Sequence, residues 1–174
     1  MIRPHLLFIP LFAAGCATLS EKECRSADWH QIGFNDGREG FVRARVEDHS
    51  EACSKTGVSV DRDRYFAGRE AGLRQYCTPE GGFRAGSEGK SYSEVCPPAL
   101  APAFLSRYEA GKRIYDLRRR IDSLESERRD KERKLDKASS DDERKRLRDE
   151  LRNIDRDLRR ERDALRWQEE FARR

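Results

Sequence analysis

Apolar residues in the last third of the chain recur at heptad spacing. Between residues 113 and 174, two runs advance in alternating steps of four and three residues: Leu117, Ile121, Leu124, Arg128, Lys131 and Leu135, then Leu147, Leu151, Ile154, Leu158, Glu161 and Leu165. This spacing predicts one apolar stripe on each of two helices. One helix is expected from about Pro102 to Lys137, and Ser140 or Asp141 should cap the second. A turn at 138–142 would let the stripes face each other in an antiparallel, coiled-coil-like hairpin, with intermolecular pairing as the alternative.

Two details of this tail carry further expectations. Arg128 and Lys131 interrupt the first stripe, and their aliphatic stems can cover Ile154 and Leu151 while their charges reach solvent. The aromatic pair at 167 and 171 is expected to dock on the preceding domain, with an exposed apolar tip as the alternative.

Glycines in the middle of the chain follow aromatic residues at a helical interval. The copies are Phe34-x-x-Gly37, Tyr65-x-x-Gly68, Phe83-x-x-Gly86 and Tyr108-x-x-Gly111. Residues three apart share a helical face, so each glycine would leave a groove for a neighbouring helix. Unequal spacing between the copies argues against a solenoid of fixed period. No strand pattern precedes them and no G-K-[ST] follows, which argues against a phosphate-binding loop.

The same region predicts short helices with irregular breaks. Asp28 should cap a helix from Trp29 to about Gly37, a second should run over about 43–56, and Asp61 should cap a third that ends at Tyr76. The residues Pro79, Gly81 and Gly82 predict a break after it, and the prolines at 97, 98 and 102 another. The predicted fold class is therefore all-α: a small, irregular, disulfide-stapled helical domain over 24–112, followed by the hairpin over 113–174.

The N-terminus has the pattern of an export signal. An apolar stretch from Leu6 to Phe12 is too short to span a bilayer as a helix. It leads into Ala13-Ala14-Gly15-Cys16, which resembles a bacterial lipobox. The resemblance implies a signal peptide over 1–15, lipid on Cys16, a lipidated tether over 16–23 and, with Ala17 next, sorting to the outer membrane facing the periplasm. An ordinary secretory signal that leaves Cys16 as a free thiol is the alternative.

Four cysteines remain once Cys16 is assigned to lipid: Cys24, Cys53, Cys77 and Cys96. An even number in an oxidising compartment predicts two disulfides, for which three pairings exist. If the first two helices are antiparallel, Cys24 and Cys53 meet at one end, while Cys77 and Cys96 flank the glycine-rich loop. The absence of a C-x-x-C pair argues against a zinc site, so no metal or cofactor is expected.

Composition and charge favour a non-enzymatic role. The chain is 40% charged, and its net charge of +4 is spread over alternating signs, which is typical of solvated helices and not of a nucleic-acid surface. His30 and His49, with Asp36 nearby, are candidates for a wall-modifying hydrolase, but no catalytic motif accompanies them. Contact with other envelope proteins or with peptidoglycan is the preferred role. The chain ends in arginine, so covalent attachment to the wall through a terminal lysine is not expected.

An ordered series of motifs also resembles a known family. The motifs are Asp28-Trp29-x-x-Ile32-Gly33-x-x-Asp36-Gly37, His49-x-x-x-Cys53, Tyr65-x-x-Gly68, Gly72-Leu73-x-x-Tyr76-Cys77, Gly82-Phe83-x-x-Gly86-x-x-Gly89, Tyr92-x-x-Val95-Cys96-Pro97 and Tyr108-x-x-Gly111. Together they resemble a family of bacterial envelope lipoproteins that is classed as a domain of unknown function, over about residues 24–115. The resemblance implies a periplasm-facing domain on a lipid anchor and brings no activity with it.

Overall fold

The computed structural model describes residues 18–172, and this range is all-α, as predicted, with no strand. Its helices are α1 (Glu21–Arg25), α2 (Trp29–Glu39), α3 (Arg45–Cys53) with a 3₁₀ turn (Ser54–Thr56), α4 (Arg62–Tyr76), α5 (Pro79–Ser87), α6 (Ala101–Lys137) and α7 (Asp141–Ala172). The Cys16 lipid site and the signal peptide over 1–15 lie outside the described residues. Among the described helices, none is both long enough and apolar enough to cross a membrane.

Polar side chains fix where several helices begin. The Asp28 carboxylate accepts from the backbone N–H groups of His30 and Gln31, and Asp61 accepts from Arg64 N–H. Each carboxylate satisfies a donor that has no partner inside its helix. The predicted starts of α2 and α4 are therefore confirmed. Ser140 plays the same part for α7 by accepting from the N–H of Glu143.

The predicted break at Pro79, Gly81 and Gly82 is wrong, because these residues form the first turn of α5. Proline is favourable at this first position, since its missing N–H would have had no helical partner. The Thr78 hydroxyl caps the helix by accepting from Gly81 N–H at 2.9 Å. The glycines are tolerated because they let α5 lie close to its neighbours.

Two helical hairpins with backbone-to-backbone contact form the domain. The first packs α2 on α4 and the second packs α5 on the N-terminal part of α6. A Cβ added to Gly33 would lie 1.9 Å from the carbonyl oxygen of Tyr65, and one added to Gly68 would lie 1.9 Å from that of His30. In the second hairpin, a Cβ on Gly86 would lie 2.1 Å from the Tyr108 oxygen. The expectation that these glycines form packing grooves is confirmed.

The two hairpins share the same spacing of glycines and the same contact with a tyrosine ring. Gly33, Gly37 and Gly40 in the first have the same spacing as Gly82, Gly86 and Gly89 in the second. The last glycine of each set has positive φ, 74° and 71°, and lies against a tyrosine ring of the partner helix, Tyr76 or Tyr115. The sequence analysis found no fixed period because it compared single aromatic–glycine pairs, whereas the repeating unit is a complete hairpin.

One disulfide closes each hairpin. Cys24 is joined to Cys53 and Cys77 to Cys96, with Cα–Cα distances of 5.5 Å in both. In each unit, the bridge links the residues before the first helix to the connection that precedes the second. This is the pairing that the sequence analysis favours. The argument given there for Cys24 and Cys53, an antiparallel pair formed by the first two helices, is wrong, because α2 packs on α4 and not on α3. Cys24 lies in α1, which contacts α3 directly.

Residues 18–23, which the sequence analysis assigned to a lipidated tether over 16–23, are part of the folded domain. Ser20 and Glu23 form a capping box that starts α1 at Glu21. Leu19 packs against the core of the first hairpin, whose buried members include Trp29, Val46 and Tyr65. The chain is therefore part of the fold from residue 18 onward.

The long C-terminal hairpin has the predicted helices and turn. Ile121, Ile154 and Leu158 form its buried centre, and Leu124 packs against them. Lys131 pairs with Glu150 across the hairpin at 2.5 Å, so it faces α7 as expected. The end of α7 returns to the domain, where Arg107 donates to the Ala172 carbonyl oxygen at 2.8 Å.

The expected docking of the aromatic pair is wrong. The side chains of Trp167 and Phe171 stack on each other, with ring centroids 5.6 Å apart, and remain 60% and 57% exposed. The smaller Ala172 is buried instead. The two rings lie one helical turn apart and cover each other, and Trp167 also lines an open cleft with Arg113 and Leu117 of α6.

Candidate functional site

Three polar side chains meet inside the first hairpin. Asp36 of α2, His49 of α3 and Tyr65 of α4 are 8%, 3% and 0% exposed. The Tyr65 hydroxyl donates to Asp36 Oδ2 at 2.6 Å, and His49 Nε2 lies 2.7 Å from the same oxygen. Each buried polar group thus has a partner, as burial requires.

The contact with Asp36 defines the role of one nitrogen of His49. An ionised Asp36 can only accept, so the Nε2 that faces it must be the donor. The other nitrogen, Nδ1, lies 2.8 Å from the Thr18 hydroxyl oxygen and accepts from that hydroxyl when the imidazole is neutral. Burial, and then the hydrogen bond to Asp36, raises the pKa of Tyr65 well above its ordinary value. The phenol therefore remains the proton donor at physiological pH.

A cleft of about 350 Å³ opens beside this cluster. Its walls come from α1, α2, α3 and the residues before α1. The lining residues are Thr18, Leu19, Glu23, Ser26, Ala27, Asp28, Gln31, Ile32, Asn35, Asp36, Arg45 and His49. A hydroxyl, an imidazole and a carboxylate in series, with the hydroxyl at the cleft, have the connectivity that activates a nucleophile in hydrolases.

The structure brings together only some of the residues that the sequence suggested. His49 and Asp36 are in direct contact, whereas His30 is exposed on α2 and does not line the cleft. Between residues 18 and 172, no group of three or more potential ligands is placed to hold a metal ion.

The sequence analysis did not identify two members of the cluster, Tyr65 and Thr18, as site residues. Tyr65 was noted only for its spacing to Gly68, although a phenol that is buried in a helical interface has to find a polar partner. Thr18 gave no signal, because it was placed in the tether. Its contact with His49 joins residues that are 31 positions apart, and only the arrangement of α1 against α3 makes it possible.

Comparison with known proteins places a family domain on the two hairpins. Residues 28–113 match the family described as protein of unknown function (DUF2799), so a domain of this family spans that range. The matched range begins at the cap of α2 and ends within α6, which means that it contains both glycine-packed hairpins. No curated protein and no solved structure matches the chain.

Proposed function

We propose that this protein is a non-enzymatic, lipid-anchored protein of the bacterial envelope, held in the outer membrane and facing the periplasm. One observation supports this reading above others: the fold begins two residues after Cys16. Thr18 is bonded to His49, and Leu19 packs on the core of the first hairpin. Two residues span at most about 7 Å, so a lipid on Cys16 would hold this domain directly at the membrane surface.

The hairpin supplies the surface for partners. From Arg118 to Lys137, α6 adds about 30 Å of length beyond the region that packs on α5. Its exposed faces carry ion pairs such as Arg162–Glu125 and Arg120–Glu161. Exposed pairs contribute little to stability, about 0–1 kcal/mol each. A long, charged and weakly stabilised projection suits contact with other envelope proteins or the wall better than it suits catalysis.

Site-specific crosslinking in cells tests this role. A photoreactive residue placed at Ser140, in the hairpin turn, is expected to capture discrete envelope proteins or wall fragments. The matched control is the same residue at Ser54, which is exposed on the domain. Capture at Ser140 that disappears with Cys16→Ser would support the proposal, because it would require the anchor. Equal capture at both positions, or none at Ser140, would contradict it.

The Thr18–His49–Asp36 series favours a second candidate, a hydrolase with Thr18 as nucleophile. A fluorophosphonate probe should then label the protein on Thr18. Thr18→Val keeps the shape of the side chain and removes the hydroxyl, so it should abolish labelling, while Ser20→Ala should not. Absence of labelling on the folded wild-type protein would refute this candidate and leave the buried cluster with a structural role.

A further inference from the structure

A second cavity lies between the two hairpins and shares no lining residue with the cleft beside Asp36. It has a volume of about 310 Å³. The loop after α2, one face of α4 and the segment before α6 form its walls. The lining residues are Arg43, Phe66, Arg69, Glu70, Leu73, Arg74, Pro97 and Leu100.

Positive charge dominates this cavity. Three arginines, Arg43, Arg69 and Arg74, line it with a single carboxylate, that of Glu70. Most cations in the charged hairpin pair with carboxylates. By contrast, none of these three arginines forms an ion pair with a carboxylate among residues 18–172. The residues that line the cavity therefore carry an excess of two positive charges.

Arg69 is the unusual member of the three. It is only 7% exposed, and one terminal nitrogen of its guanidinium donates to the Phe41 carbonyl oxygen at 2.7 Å. Its Nε is buried and has no hydrogen-bond partner. Burial lowers the pKa of Arg69, because a desolvated cation is costly, and the nearby carboxylates of Asp36 and Glu70 offset this only in part. An anion in the cavity would offset that cost.

Apolar side chains line the cavity between and beside the arginines. Phe66, Leu73 and Leu100 contribute to this lining, and the Arg43 guanidinium lies 3.8 Å from the centre of the Phe66 ring. Nearby, Phe41 and Val42 are more than 40% exposed, in the loop whose Phe41 carbonyl oxygen accepts the hydrogen bond from Arg69. A ligand that carried an apolar group next to its charge would contact both kinds of side chain.

We propose that this cavity binds a phosphate group attached to an apolar moiety. Phosphate offers several acceptors, which arginine recognises with its planar set of donors. The two sources of such a group are the head of an anionic phospholipid and a soluble phosphorylated compound. The site does not depend on acylation of Cys16, so it stands or fails separately from the proposed anchor.

Titration calorimetry on the full chain with Cys16→Ser and intact disulfides tests the site. The probes are dihexanoyl-phosphatidylglycerol, the zwitterionic dihexanoyl-phosphatidylcholine, both below their micelle-forming concentrations, and inorganic phosphate. The Cys16→Ser protein, whose cavity is unchanged, should bind phosphatidylglycerol with one-to-one stoichiometry. Arg43→Gln and Arg74→Gln, both at exposed positions, should each weaken binding about tenfold through loss of a charge-assisted hydrogen bond.

Arg64→Gln is the matched control, because Arg64 lies on α4 outside the cavity and the change in charge is the same. It should alter affinity less than twofold. Binding of phosphatidylglycerol far above inorganic phosphate would support a lipid head as the source, whereas equal binding would show that the apolar moiety contributes nothing and would contradict that half of the proposal. Equal affinity for phosphatidylcholine, loss of affinity in Arg64→Gln, or no saturable binding of any probe would overturn the proposal.

Discussion

Gly33→Ala probes the close packing on which both hairpins depend. The new Cβ would lie 1.9 Å from the Tyr65 carbonyl oxygen and 2.8 Å from its carbon, although real Cβ contacts essentially never fall below 3.0 Å. The obstacle is backbone, so no side chain can rotate away. The two helices would have to separate by at least about 1 Å along a contact that organises the first hairpin.

The expected net loss of stability is about 2 kcal/mol. Overpacking costs about 1–3 kcal/mol, and a rigid backbone obstacle favours the upper end of that range. Alanine returns up to about 1 kcal/mol, because it is the better helix former. Against a total stability of about 5–15 kcal/mol, this is a large effect. Urea unfolding followed by circular dichroism at 222 nm measures it.

A double-mutant cycle separates the contact from general damage to α2. Gly68 meets the same interface from the other side, with its added Cβ 1.9 Å from the His30 oxygen. Once Gly33→Ala has moved the helices apart, Gly68→Ala should cost less than it does alone. Gly86→Ala, in the other hairpin, should instead add its full cost to that of Gly33→Ala. Additive costs for Gly33 with Gly68, or a more stable Gly33→Ala protein, would refute the reasoning.

Three further outcomes follow from the fold. The double variant Cys77→Ser with Cys96→Ser should lose about 3 kcal/mol in urea unfolding, since its 19-residue separation constrains the unfolded chain; an unchanged midpoint would contradict this. The hydrogen bond from Lys90 holds the pKa of Glu39 below its ordinary value near 4.5. The contact should therefore stabilise the fold above that pH, and its contribution should be lost as pH falls through the lower pKa of the folded state. Glu39→Gln should reduce this loss of stability in unfolding measurements from pH 6 to pH 3. Leu158→Asp buries an unpaired carboxylate in the hairpin and should expose 120–160 to trypsin while the domain stays protease-resistant, whereas uniform digestion would show that the hairpin and the domain unfold together.

Local signals made much of the fold predictable from the sequence. The carboxylates of Asp28 and Asp61 mark helix starts because a cap involves only residues within three positions. The heptad stripes likewise predicted α6 and α7, since one face of a helix can be read from its own residues. In both cases the interaction that decides the structure is close in sequence.

The errors arise where distant contacts decide. The segment Pro79 to Gly82 has poor helix propensity by itself, and it forms a helix through the Thr78 cap and close packing on α6. The pairing of α2 with α4, not α3, was inaccessible for the same reason, because complementary glycines 35 positions apart select it. The Thr18 contact with His49 likewise depends on the packing of α1 against α3, whose residues are distant in sequence.

The most direct test of the proposed function is mass spectrometry of the N-terminal peptide from protein isolated with the membrane fraction. The account predicts a mature chain that starts at Cys16 and carries a diacylglyceryl thioether and an acylated amino terminus. The same peptide should be missing from cells that express Cys16→Ser. A mature chain that begins elsewhere, or one with an unmodified Cys16 thiol, would contradict the anchor and with it the placement of this domain at the membrane.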